Sequence, residues 1–207
     1  MIDPKFKVKL NSVRLEALGD AIFAVAMTIL VLEIKIPPIN GSGWHAFAEA
    51  MHHSLIELMC FAISFIVLGI MWFGHRMIFE YIGKTNRYFI FLGVLFYMII
   101  CLVPFSTKLL ATSTLEWYAI LIYGVNLSLC NLTLYLQWTY GVKHAGLLER
   151  ELPEEVRKEA NRLFLLSPVV YAGAIIISFW FPVVSIIIFI ITPVLYLLPG
   201  KLDKYLP

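Results

Sequence analysis

Residues 14–34 read RLEALGDAIFAVAMTILVLEI, an otherwise continuous apolar stretch that holds a carboxylate, Asp20, a few residues after Arg14 and Glu16. A helix needs about 20 such residues to cross roughly 30 Å of hydrocarbon. The stretch is therefore long enough to span a bilayer. Asp20 needs a partner within it, because an exposed carboxylate at that depth is costly.

The composition places the rest of the chain in the same environment. Of its 207 residues, 60% are hydrophobic and 14% are charged, and the mean hydropathy is +0.84. A soluble chain of this length would need far more charge to cover its surface. We therefore expect an all-α membrane protein embedded in a lipid bilayer.

Six segments are long and apolar enough to be membrane-spanning helices. They lie at about 14–34, 54–73, 88–107, 117–140, 163–181 and 183–198, and only Phe181 and Pro182 separate the last two. The connections leave little room for a separate unit. Residues 1–207 are therefore expected to form a single six-helix transmembrane domain.

The positive charges indicate the orientation of these helices, because cytoplasmic loops retain Lys and Arg. All of them except Lys35 and Lys108 fall on one side of the membrane when the six segments alternate. Both termini are therefore expected in the cytoplasm. The first helix is expected to stay in the protein, since no cleavage site follows it. The basic residues indicate topology and not a nucleic-acid surface.

The motifs of known enzymes and metal sites are missing from the sequence. It contains no nucleophile elbow, HExxH sequence, phosphate-binding glycine loop or paired intramembrane carboxylates. Cys60, Cys101 and Cys130 lie in separate spans, so we expect them to be packing residues and not a disulfide or a metal site. The sequence therefore favours a protein that is not an enzyme and has no cofactor.

Two connections between the spans carry weaker features. The outer connection before the second span holds His45, His52 and His53. We expect them to be solvated loop residues, since no cysteine or carboxylate accompanies them at the spacing of metal ligands. The connection 141–162 contains a helix start at Pro153, so we expect a short surface helix there.

The first helix has three faces at helical spacing, one of branched side chains, one of small side chains and one that carries the acids. In that order, the faces are Leu18, Ile22, Val25, Ile29 and Leu32; Ala17, Ala21, Ala24 and Thr28; and Glu16, Asp20, Phe23 and Met27. Small residues let another helix approach closely, and a branched stripe beside a threonine could line a narrow path. Ordinary helix packing produces the same pattern, so the stripes alone leave both interpretations open.

Asp20 needs a hydrogen-bond donor from another helix. Arg14 lies about 240° away around the same helix, and Glu16 would repel Asp20. The end of the second span supplies an indole N–H from Trp72 and an imidazole N–H from His75. We expect Asp20 to contact both side chains and so to join the first two helices.

With these features, the chain resembles the transmembrane protein 175 family of potassium channels in its single-repeat, prokaryotic form. The stretch from Arg14 to Asp20 resembles the first-helix signature RxxxFSD, and WFGHR at 72–76 and LVPFSTKLL at 102–110 match two later landmarks. The resemblance covers the whole chain in span number, spacing and orientation. Leu18 stands where the family usually has Phe and Gly19 where it has Ser, so one hydroxyl of the polar network is missing.

The resemblance implies a homotetramer with helix 1 of each six-span subunit around a central pore. It implies a constriction of large apolar side chains, which correspond here to Val25, Ile29 and Leu32, with Thr28 as a candidate hydroxyl layer. Such a constriction gates by dewetting, because an ion inside it loses water without gaining ligands. Potassium ions are then the permeant species, and the location is a bacterial plasma membrane. The motif and its interhelical network comprise Arg14, Leu18, Gly19, Asp20, Trp72 and His75.

The alternative function is a proton-coupled carrier in which Asp20 and His75 titrate as a relay. Against it, no ionisable residue continues from them through the middle of the bilayer, since Glu57 and Glu116 lie near the other side. A scaffold protein is a weaker alternative, because the chain has no sizeable soluble surface. The sequence therefore favours a potassium-permeable channel.

Overall fold

The computed structural model describes residues 10–197, apart from residues 36, 40, 145, 150 and 151. Within that part of the chain the fold is helical, with one very short pair of strands. In chain order the elements are β1 (Leu10–Asn11), α1 (Val13–Leu32), α2 (Trp44–Tyr81), β2 (Lys84–Thr85), α3 (Arg87–Ile100), α4 (Val103–Thr112), α5 (Trp117–Lys143), α6 (Glu154–Ser178) and α7 (Pro182–Leu197). The predicted all-helical class agrees with this architecture.

Five helical segments of the described residues are long and apolar enough to cross a membrane. They are α1, the Ser54–Tyr81 part of α2, the pair α3–α4, α5 and α6. The sixth predicted span corresponds to α7, whose 16 described residues rise about 24 Å, less than the thickness of the hydrocarbon. Its apolar part is Pro182–Pro193. The described residues therefore contain five candidate spans and one shorter apolar helix.

Helix α2 is much longer than the predicted span 54–73. It begins at Trp44, directly after Gly43 at φ 92°, and ends at Tyr81. The predicted outer loop is therefore helical from residue 44 onward, because no glycine or proline follows Gly43 for many residues. His45 lies exposed in the first turn of α2 and not in a loop, and the side chains of His52 and His53 lie outside the described residues.

The third predicted span, 88–107, is broken into α3 and α4 at Cys101 and Leu102. Pro104 follows the break and has no N–H, so a regular helix would lose a hydrogen bond there. Helix α5 compensates for the irregular backbone, since Asn126 Nδ2 donates to the carbonyl of Ile99 at 3.0 Å. Ser106 Oγ in turn donates to Asn126 Oδ1 at 2.8 Å. The break is thus supported by buried polar side chains.

Helix α6 combines two elements that the sequence analysis separated. It begins at Glu154, after Pro153, and continues without interruption to Ser178. The helix start was placed correctly, but the prediction of a short surface helix followed by a separate span at 163–181 is wrong. The polar residues between 154 and 162 do not break a helix, and the Arg157–Glu154 ion pair at 3.0 Å joins its first two turns.

The segment before α1, the α2–α3 connection and the α5–α6 connection are joined by backbone hydrogen bonds beside the N-terminal end of α1. The sequence did not predict this. Strand β1 pairs antiparallel with β2, with Leu10 opposite Thr85. On the other side of the α2–α3 connection, Ile82 forms an isolated bridge with Leu148 from the α5–α6 connection. The backbone N–H of Ser12 also bonds the carbonyl of Gly83 at 3.3 Å. Helix α1 therefore begins at a point tied to two other connections.

Helices α2 to α7 form the body of the fold, and α1 packs on its side. Helix α5 contacts α3, α4, α6 and α7, and its Trp138 and Ile120 are fully buried. Helix α1 packs against α2, α3 and α4. Among the described helices, this arrangement leaves one side of α1 without a neighbour.

Candidate functional site

Helix α1 contacts the rest of the chain through one face. Its buried residues are Leu15, Gly19, Phe23, Ala26 and Leu30, which recur every three or four positions. The face opposite to them carries large apolar side chains that the other described residues leave exposed. A long, uncovered apolar face on a helix whose other side is closely packed is the candidate functional site.

The four residues predicted to line a pore all lie on this uncovered face. Val25 is 56% exposed, Ile29 38% and Leu32 77%, and Thr28 is exposed as well. The hydroxyl of Thr28 donates within its own helix, to the carbonyls of Ala24 and Val25 at 3.0 and 2.9 Å. Its oxygen therefore has an acceptor site free for a group outside the helix.

The stripes predicted for α1 need one correction. The branched and small-residue stripes share the uncovered face, and Leu18 is exposed with them, although Ile22 packs partly against the core. The third predicted stripe is split, since Phe23 is 1% exposed and Asp20 is exposed. The edge of the buried face passes between these two residues, which lie about 60° apart on the helix.

Asp20 forms the predicted contact with Trp72. The indole Nε1 of Trp72 donates to Asp20 Oδ1 at 2.7 Å and joins α2 to α1. The guanidinium of Arg76 lies over the Trp72 ring, 5.9 Å from its centroid. Arg76 is also a charged neighbour of Glu16, together with Asp20 and Glu80. Arg76 therefore places a cation from the next helix near Glu16 at the start of α1.

The predicted contact between Asp20 and His75 is wrong. His75 is fully buried, and its Nε2 pairs with the hydroxyl of Tyr97 on α3 at 2.8 Å. That hydroxyl donates to the backbone carbonyl of Leu15 on α1 at 2.7 Å. Tyr97 was missed because the pairing of α3 with α1 depends on tertiary register, which a single sequence does not reveal.

The structure places the other motif residues in different surroundings: Arg14 and Leu18 are exposed, and Gly19 is buried. Arg14 lies exposed on the first turn of α1, apart from the Asp20–Trp72 contact, and Leu18 is 47% exposed. Gly19 is buried against His75 and Tyr97. Of the six predicted network residues, the structure thus brings Gly19, Asp20, Trp72 and His75 to the helix interface and leaves Arg14 and Leu18 outside it.

The opposite end of α1 is held by an ion pair that the sequence analysis did not predict. Lys108 Nζ on α4 lies 2.8 Å from Glu57 Oε1 on α2 and donates to the carbonyl of Glu33 at 2.6 Å. The other oxygen of Glu57 accepts the backbone N–H of Lys35 at 2.8 Å. A sequence signal existed, since Lys35 and Lys108 are the two basic residues on that side and Glu57 lies near them.

A groove runs between α1 and α4 along the edge of the uncovered face. It has a volume of about 460 Å³ and is lined by Val25 and Ile29 on one side and Pro104 and Phe105 on the other. Cys101 also lines it and is exposed, contrary to its predicted role as a packing residue, whereas Cys60 and Cys130 are buried. Among the described residues, no group of three His, Cys, Asp or Glu side chains could hold a metal ion.

Comparison with known proteins gives consistent results. Residues 14–104 match the model of a family described as endosomal/lysosomal potassium channel TMEM175. A potassium channel of Streptomyces collinus is 38% identical over 103 residues, which are 49% of this chain and 48% of that protein. A potassium channel of Chamaesiphon minutus is 31% identical over 176 residues, which are 80% and 83% of the two chains.

A solved structure has the same fold. It is the crystal structure of a lysosomal potassium-selective channel TMEM175 homolog from Chamaesiphon minutus, with a TM-score of 0.78 at 24% identity, covering 89% of this chain and 95% of that one. At this level of identity the likeness establishes the arrangement of helices alone.

Proposed function

Since this chain belongs to the TMEM175 family, we propose that it is a potassium-permeable channel. The named activity of the two relatives supports the permeant ion, and the longer of the two alignments covers most of both chains. The family is a class of channels and not of enzymes. In this proposal potassium is the transported ion and no cofactor takes part.

The observation that carries the proposal is the uncovered face of α1. Val25, Ile29 and Leu32 would each leave a large apolar surface exposed in a single chain. Four copies arranged with this face toward a common axis would bury it and create a narrow path. We therefore place α1 at the centre of a homotetramer, with residues 1–207 as one six-helix domain in which α7 is the sixth membrane helix.

The orientation follows from the distribution of charge. Because the basic residues other than Lys35 and Lys108 lie on one side, the N-terminal end of α1 and both termini face the cytoplasm in this arrangement. The bacterial sources of the two relatives favour the plasma membrane of a bacterium. The Asp20–Trp72 contact then lies near the cytoplasmic end of the pore and the Lys108–Glu57 pair near the outer end.

The proposed conduction mechanism depends on apolar rings. In a tetramer, Val25, Ile29 and Leu32 form successive rings about one helical turn apart, and an ion crossing them finds no carbonyl or carboxylate to replace its water. A small change in ring radius then switches the path between dry and conducting. Val25 has the smallest side chain of the three and forms the widest ring, and the oxygen of Thr28 adds one polar layer.

The geometry gives little support to a proton-coupled carrier. A relay requires Asp20 and His75 to exchange a proton, but each bonds a different partner, Trp72 and Tyr97 respectively. Both residues also lie near the same end of α1, far from Glu57 at the other end. The channel is therefore the function that the site supports best.

The test of this function is ion flux into liposomes. Purified protein is reconstituted with a potassium gradient and no pH gradient, and tracer uptake is measured against protein-free liposomes. We expect the potassium gradient alone to drive uptake. Uptake that strictly requires a pH gradient would support the carrier and contradict the channel, and a monomer in native mass measurements would contradict the shared pore.

A further inference from the structure

Gly19 lies where two rings from other helices press against α1. A Cβ atom at this position would lie 2.6 Å from His75 Cε1 and 2.7 Å from the hydroxyl oxygen of Tyr97. Any side chain would therefore collide with both rings. His75 has little room to retreat, because Phe23, Phe79 and Phe96 surround it. The glycine creates the space in which the His75–Tyr97 pair meets the backbone of α1.

The direction of the hydrogen bonds in this space can be assigned. The carbonyl of Leu15 can only accept, so the single proton of the Tyr97 hydroxyl is donated to it, at 2.7 Å. The phenol oxygen must then accept from His75 Nε2–H, at 2.8 Å. His75 Nδ1 is buried without a hydrogen-bond partner among the described residues. The imidazole therefore takes part in this network as a donor from Nε2–H.

Two interhelical contacts hold α1 at the same height. One is the docking of Tyr97 and His75 at Gly19, and the other is the bond from Trp72 to Asp20 at 2.7 Å. Successive residues are about 100° apart around a helix. This spacing defines the side of α1 that lies opposite the midpoint between Gly19 and Asp20. Val25 and Leu32 both lie within about 10° of that direction. The two contacts therefore point the middle of the apolar stripe away from the body of the subunit.

We propose that Tyr97 is a positioning residue of the channel, whose hydroxyl, seated in the space left by Gly19, fixes the rotation of α1 about its axis and so determines which side chains face the pore. The proposal rests on the proposed channel function for its consequence, but not for its geometry. Tyr97 touches neither the ion nor the apolar rings. It acts through the Leu15 carbonyl and through His75.

The decisive test is a pair of single variants and their combination. Tyr97→Phe removes the acceptor of His75 Nε2–H. Leaving this buried donor unpaired shifts the equilibrium between the native and other rotations of α1 by about tenfold. Gly19→Ser forces both rings away from α1. In Gly19→Ser/Tyr97→Phe the phenol oxygen is absent, but the new Cβ still collides with His75 Cε1 at 2.6 Å. We expect each single variant to lower potassium flux per assembled oligomer by about tenfold, and the double variant to lose no more flux than the worse single variant, because both substitutions break the same contact.

A matched control separates positioning from general stability. Tyr123 is another buried tyrosine, whose hydroxyl lies 3.0 Å from Ser64 Oγ and does not reach α1. Tyr123→Phe should lower thermal stability about as much as Tyr97→Phe and leave flux per oligomer unchanged. Equal losses of flux in the two variants, or a double variant as impaired as the product of the two single variants, would overturn the positioning role.

A second readout does not depend on conduction. In a Cys101→Ser background, maleimide labelling of Ile29→Cys and Leu30→Cys reports which side of α1 is uncovered, since Ile29 is 38% exposed and Leu30 1%. Tyr97→Phe should raise labelling at position 30 relative to position 29 severalfold, and adding Gly19→Ser should raise it little further, because both substitutions break the same contact. An unchanged ratio overturns the proposal even if the channel conducts. A wild-type protein that conducts no potassium contradicts the proposed function and leaves the labelling test intact.

Discussion

Helices α1 and α5 are both apolar enough to cross a membrane, but they relate to the fold in opposite ways. The most apolar window of α1 has a mean hydropathy of 2.0 and is 28% buried, whereas that of α5 has 1.6 and is 56% buried. The more hydrophobic helix is thus the less covered one. In a bilayer, hydropathy decides whether a helix inserts, and close packing with small and polar residues decides which helices associate.

The buried polar residues of α5 illustrate this difference. Asn126 and Thr133 are buried on α5 and find hydrogen bonds to backbone carbonyls or to Ser106. On α1 the polar contacts lie toward its two ends, and the middle of its uncovered face is apolar apart from Thr28. Substitutions on α5 should therefore affect folding, and substitutions on the uncovered face of α1 should affect conduction.

The largest expected effect is on α5. Ile120 is fully buried there, so Ile120→Asn loses packing and buries an amide, which together cost about 3 kcal/mol or more. We expect little native oligomer after extraction, measured by size-exclusion chromatography and thermal melting. Leu129→Asn on the exposed face of the same helix is the control. Normal assembly of Ile120→Asn would show that the buried face of α5 is not the core of the subunit.

The corresponding change on α1 should leave assembly intact and alter function. Ile29→Asn places an amide in one apolar ring, and lowering the conduction barrier by on the order of 1.4 kcal/mol raises the rate about tenfold. We expect higher flux or weaker potassium selectivity in liposomes, together with an unchanged elution profile. Leu129→Asn again serves as the control, with unchanged flux. Wild-type currents in both variants would remove Ile29 from the pore.

The smallest expected effect concerns the contact that joins α1 to the body. Asp20→Ala leaves the Trp72 indole without its acceptor, at a cost of about 1 to 2 kcal/mol. We expect a lower thermal stability of the oligomer before any change in ion preference. Asp20→Asn keeps an acceptor oxygen and should retain most of the stability. A fully stable Asp20→Ala oligomer with altered selectivity would mean that Asp20 acts on the ion and not on the helix interface.

The parts of the fold that depend on local sequence were predictable. Long apolar runs identified five candidate membrane segments, and Pro153 identified the start of α6. The break between α3 and α4 was missed although Pro104 is visible in the sequence, because a proline can be tolerated in a membrane helix and its effect depends on partners such as Asn126. The first part of α2 was missed because helix and loop differ little in composition there.

The candidate site was predictable to a similar extent. Depth along the helix and donor chemistry were enough to pair Asp20 with Trp72. They could not pair His75 with Tyr97, since that requires the register between α1 and α3. The departure at Gly19 was visible in the sequence as a missing hydroxyl, but the phenol that occupies its space comes from another helix. Local pattern therefore identified the face of α1, and tertiary register determined the contacts that hold it.

The break between α3 and α4 also provides a native reporter. It exposes Cys101 beside the groove that Val25 and Ile29 line, while the other two thiols of the chain are buried. A membrane-permeant thiol-reactive fluorophore should therefore attach at a single position in the unmodified protein. Its emission would then report the polarity of that groove, and so whether lipid or a neighbouring subunit fills it, without any substitution in the sequence.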